Sequence, residues 1–124
     1  MALVRLVKDI IKRRRLLKNN DYSFVVSKDD IKMLVTYGKL YPLYLMPLRF
    51  NGEDSEKNKV YVPKAIIELK DRADNMIEDL IKKGQLTGYS CNLDYKGKSL
   101  IPSSLTVIGK KDKEEVFSEK INIW

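Results

Sequence analysis

"PKAIIELKDRADNMIEDLIKKG", residues 63–84, is the stretch that decides how this chain folds. Proline suits the first position of a helix, where its missing N–H is not needed, and Gly84 suits the position just past the end. Lys82 and Lys83 complement the carbonyl-rich terminus between them. Ile66, Leu69, Ala73, Met76, Ile77, Leu80 and Ile81 keep three-and-four spacing, which predicts a helix over 63–83 with one apolar face. Glu68 with Arg72, Glu78 with Lys82 and Asp79 with Lys83 are acid-before-base pairs four apart, each worth about 0.2–0.5 kcal/mol. Asp74 and Glu78 fall on the polar side and read as surface salt-bridge residues. Such a helix has a solvated back and needs a sheet under its front.

Downstream of Gly84 the period changes from three-and-four to two. Thr87, Tyr89, Cys91, Leu93 and Tyr95 alternate with Gly88, Ser90, Asn92 and Asp94, and "YKGKS" turns the chain into a second run over 100–108. A third run follows "GKKDKEE", with Phe117, Ile121 and Ile123 on one side and Val116, Ser118, Lys120 and Asn122 on the other. Three antiparallel strands with one buried and one wet face are expected, Pro102 marking a bulge or an edge.

Upstream, "YSFVVS" is β-branched and aromatic and predicts a strand from Tyr22 to Val26. Ser27 and Asp30 have capping-box spacing and Gly38 supplies a stop, which predicts a helix over 28–37 with Ile31, Leu34 and Val35 buried. Pro42 and Pro47 exclude a helix over 41–50. That segment and Val60–Val62 read as a hairpin whose long polar tip, Asn51 to Lys59, is mobile. The predicted fold is α+β: two layers, a mostly antiparallel sheet with a long amphipathic helix packed on one face, plus a basic N-terminal helix. Residues 1–20 form that basic helix and residues 21–124 a single domain, as the length of 124 residues suggests.

The chain contains no histidine, which removes the commonest acid/base near neutral pH, Ser-His and Cys-His nucleophile pairs and the usual ligand of catalytic zinc. Cys91 stands alone, and its alternation with Tyr89 and Leu93 predicts a small, buried, inert side chain. "NGEDSEKN", 51–58, lacks the ligand spacing of a calcium loop. Ser103 and Ser104 have no nucleophile elbow, and no phosphate-cradling glycine loop occurs. The expectation is therefore a non-enzymatic chain with no catalytic residue, cofactor or metal, and an enzyme of carboxylate or lysine chemistry ranks third among its readings. No apolar run is long enough to cross a bilayer, residues 1–11 do not form a signal-peptide core, and the lone cysteine fits a reducing compartment, so a cytoplasmic location is expected.

Charge singles out the other end of the chain. Lys and Arg total 24 and Asp and Glu 17, a net +7. Residues 1–18 hold seven basic residues against Asp9 alone, a net +6, which leaves +1 for residues 19–124. Any electrostatic partner is to be sought at this segment, which includes "DIIKRRRLLKNN", 9–20. Leu3, Leu6, Val7, Ile10 and Ile11 cluster on one helical face as the candidate interaction face. Arg5, Lys8, Lys12, Arg13, Arg14, Arg15 and Lys18 are the candidate phosphate contacts. Asn19 to Asp21 stop the helix and leave it free to swing outward. The expected role is protein–protein contact, self-association included, with low-specificity nucleic-acid binding as the alternative. A membrane surface ranks last, because Arg14 interrupts the apolar stripe and shortens its usable face to about three turns.

Overall fold

The computed structural model describes residues 2–124, with side chains from Lys8 onward. The fold is α+β. Helices α1 (Ala2–Lys18) and α2 (Lys28–Thr36) precede a two-stranded antiparallel hairpin, β1 (Tyr41–Tyr44) and β2 (Lys59–Val62). The long helix α3 (Lys64–Lys82) leads into a three-stranded antiparallel sheet of β3 (Gly88–Tyr95), β4 (Pro102–Lys111) and β5 (Glu114–Asn122), with β4 in the centre. α3 packs on β4, β5 and β1, so it ties the two sheets together. One contiguous core runs from Tyr22 to Ile123, with Ile77, Leu86, Ile101, Leu105 and Val107 fully enclosed.

The end signals of α3 hold within one residue: Pro63 stands just outside the helix at φ −61°, and Gly84 takes the left-handed conformation at φ 73°. Its buried face is rotated from the one predicted. Ile66, Ala73 and Ile77 are buried, but Leu69, Met76 and Ile81 are exposed, and Lys70 and Asp74 take their place inside. Asp74 is therefore not a surface residue. Its Oδ2 lies 2.7 Å from Lys70 Nζ one helical turn away, and the Tyr89 hydroxyl from β3 donates to Oδ1 at 2.6 Å and accepts from Lys70 at 2.9 Å. A buried ion pair persists when its remaining lone pairs and protons find partners, and this one does. Of the expected surface pairs, Glu78–Lys82 forms at 3.0 Å, and Arg49 joins it at 3.2 Å from Glu78.

Tyr22–Val26 is not a strand. The Asp21 carboxylate accepts the Ser23 N–H at 2.9 Å and Val25 N–H bonds back to the Tyr22 carbonyl at 3.1 Å, which closes a turn that buries Tyr22 and Val25 together. Short polar side chains that bond nearby backbone compete in this way with strand formation, and here they override β propensity. The segment still reaches the large sheet's connection through a bond from Leu100 N–H to the Val25 carbonyl at 2.7 Å. Ser27 then caps α2 by accepting Asp30 N–H at 3.1 Å, but only Leu34 of the three predicted side chains is buried; Ile31 is half-buried and Val35 exposed.

The hairpin forms as expected, as a separate sheet, and its tip is held rather than loose. Asn58 accepts Met46 N–H and donates to the Met46 and Glu53 carbonyls, each at 2.8 Å. At Gly52 a Cβ would lie 1.9 Å from the Met46 carbonyl oxygen, so only glycine fits that approach. In the large sheet, β4 is buried on both faces through Pro102–Leu105 and again at Val107–Gly109, so the simple division into one dry and one wet face fails for the central strand. The chain end contributes: Ile123 N–H bonds the Ser103 carbonyl at 2.8 Å and Trp124 Nε1 donates to the Ile101 carbonyl at 3.0 Å. Pro102 pairs with Tyr95 where the register shifts, which is the expected bulge.

Candidate interaction surface

α1 is fastened at its C-terminal end. Asn20, at φ 58°, turns the chain sharply after the helix, and its side-chain amide donates to the Ile123 carbonyl at 2.8 Å. Arg13 lies with its guanidinium 5.4 Å from the Phe24 ring centre and 3.5 Å from the Asp30 carboxylate at the start of α2. Leu17 packs against the core. Three attachments therefore fix the last turns, and the expected free swing about Asn19 to Asp21 is not what the chain does.

The described residues just before those turns are open to solvent. Ile10 lies seven residues before Leu17 on the same helical row, yet Leu17 docks and Ile10 is 42% exposed, with Ile11 at 51%. Lys8, Lys12, Arg14, Arg15 and Lys18 are exposed, and none of them makes an ion pair among the described residues. Of the predicted interaction face, the structure thus places Ile10 and Ile11 in the open. The side chains of Leu3, Leu6 and Val7, and of the candidate phosphate contact Arg5, lie outside the described residues. Arg13 differs from the other candidate phosphate contacts, because Asp30 and Phe24 already engage it.

The interior polar groups belong to a different part of the molecule. The Lys70, Asp74 and Tyr89 polar atoms face one another, with the Leu45 carbonyl 3.2 Å from the Tyr89 hydroxyl, and burial, then the Asp74 hydrogen bond, push that hydroxyl's pKa far up. No buried side-chain polar atom among the described residues lacks a partner. Among those residues no three potential metal-ligating His, Cys, Asp or Glu side chains converge, and no helix is long and apolar enough to cross a membrane. Burial pushes the half-buried Cys91 thiol up to about 11, with the nearby Lys70 charge opposing. Its thiolate fraction at pH 8 is then about one in a thousand. Iodoacetamide is expected to alkylate Cys91 at least about tenfold more slowly than a free thiol at pH 8, the rate climbing as pH approaches 11. Mass spectrometry of the time course reads this directly.

The fold and surface define a class: a small α+β body carrying a cationic, amphipathic helix that is anchored at its C-terminal end and exposed over Lys8–Lys12. No protein-family model matches the chain, and neither a curated protein nor a solved structure does.

Proposed function

We propose that the chain is a non-enzymatic binding module that makes protein–protein contacts through α1, with a second copy of itself as the first partner to test. The observation that carries this reading is the exposure of Ile10 and Ile11 beside five exposed cations, Lys8, Lys12, Arg14, Arg15 and Lys18, that make no ion pair among the described residues. Apolar side chains at helical spacing that the monomer leaves wet are what an amphipathic helix offers to a groove or to another helix. The runner-up is electrostatic binding of nucleic acid, favoured by the row of unpaired Lys and Arg along the same helix.

Salt separates the two readings by sign. Two copies of α1 bring like charges together, so screening strengthens their association, whereas a phosphate backbone releases counterions and its binding weakens steeply with salt. Sedimentation velocity of the full chain is expected to show a heavier species that grows from low to high salt. A monomer at every salt concentration, together with low-salt retention of mixed DNA or RNA, would replace the first reading with the second.

A further inference from the structure

A groove of about 690 Å³ lies on the body between α2 and the β2 arm of the hairpin. One wall is an α2 face on which Lys28 and Lys32 alternate with Ile31 and Val35, four residues apart in each pair. Lys57, just before β2, stands on the opposite wall, and Leu100, itself 40% exposed, also lines the groove. The rim is cationic and the floor aliphatic. Its acidic member, Glu56, is already occupied: it accepts the Tyr61 hydroxyl at 3.2 Å and lies 3.8 Å from Lys59. Lys28, Lys32 and Lys57 make no ion pair among the described residues.

We propose that this groove binds an acidic amphipathic segment of a partner protein, its aliphatic side chains on the floor and its carboxylates against the lysine rim. Charge complementarity selects this occupant. α1 of a second copy would bring Lys12, Arg14 and Arg15 onto three more cations, so self-association through α1 does not use the groove. A single-stranded nucleic acid would find mostly aliphatic surface and lysines without an arginine fork, with half-exposed Tyr95 and half-buried Tyr61 as the rings that line the groove. An acidic helix or strand satisfies both the floor and the rim.

The test uses the full chain and a fluorescein-labelled synthetic peptide of about 15 residues with Leu and Glu at three-and-four spacing, read by fluorescence anisotropy. Its scrambled isomer of equal composition and an oligo(dT) of equal charge serve as competing probes. The patterned peptide is expected to bind at low salt and at least tenfold more tightly than the isomer. Lys28→Glu with Lys32→Glu is expected to weaken it at least tenfold; both sites are exposed, and Glu at the start of α2 suits the helix dipole, so folding is retained. Lys57→Glu, on the other wall, weakens it independently, while Arg14→Glu with Arg15→Glu on α1 leaves it unchanged. Equal binding of the isomer, indifference to the groove substitutions, or no binding at low salt overturns the proposal. So does tighter binding of oligo(dT) that the same substitutions abolish, which makes the groove a nucleic-acid site.

Discussion

Asp74→Ala is expected to cost about 3–5 kcal/mol of folding stability, a fall of roughly 10–20 °C in Tm for a chain of this size. Lys70 is 1% exposed and Asp74 5%, so the substitution leaves an ammonium inside with the Tyr89 hydroxyl as its remaining polar partner. The cost comes from that uncompensated charge more than from the lost attraction. Replacing both members, Lys70→Met with Asp74→Leu, removes the need to desolvate either charge and is expected to restore most of the loss. Tyr89→Phe deletes a neutral hydroxyl and costs less, about 1–3 kcal/mol. Urea unfolding followed by circular dichroism reads all of them. An Asp74→Ala loss below about 1 kcal/mol would mean that the pair behaves as a hydrated surface bridge.

If α1 pairs two copies as proposed, Ile10→Glu with Ile11→Glu is expected to abolish that association while leaving the body as stable as before. Their exposed fractions together amount to roughly one whole isoleucine, so covering them contributes about 1.5–3 kcal/mol per copy, or about 3–6 kcal/mol for a pair of copies. That is still short of the roughly 8 kcal/mol of a micromolar complex, so a stable pair needs further contacts. Two glutamates both forfeit this burial and have to be desolvated, and the combined effect is a loss of at least about 100-fold in association. Neither isoleucine belongs to the core, so Tm of the dilute variant stays near that of the dilute wild type. Association that survives the substitution would put the interface on another surface.

What the sequence makes legible is what depends on near neighbours. Pro63 and Gly84 mark α3 because capping chemistry is local, and the alternation at 87–95 marks a strand because its period is local. The burial of Lys70 and Asp74 was written nowhere near them. It depends on Tyr89 from β3 and, through it, on the Leu45 carbonyl 44 residues away in the chain, partners that only the tertiary fold supplies. A lysine and an aspartate four apart, flanking the small Ala73, were the available signal, and on a helix such a pair reads first as a surface bridge. The turn at Tyr22–Val26 failed for the opposite reason: a single carboxylate, Asp21, outweighed the β preference of five residues. For the candidate interaction surface, amphipathicity and charge picked out α1, on which the structure leaves Ile10 and Ile11 exposed. The anchoring is not legible in the sequence because Asn20 bonds Ile123, 103 residues away, and Arg13 meets a carboxylate of α2.

The central proposal is that Ile10 and Ile11 of α1, exposed in the single chain, are covered by a partner. Ile11→Cys tests it, since the native thiol at Cys91 is pushed to about 11 and reacts slowly, leaving the introduced one to dominate at pH 8. The alkylation rate of that introduced thiol, followed across a dilution series, is predicted to match a free exposed cysteine when dilute and to slow as the protein is concentrated. A rate that is slow at every dilution would show the stripe already buried within the monomer and contradict the account.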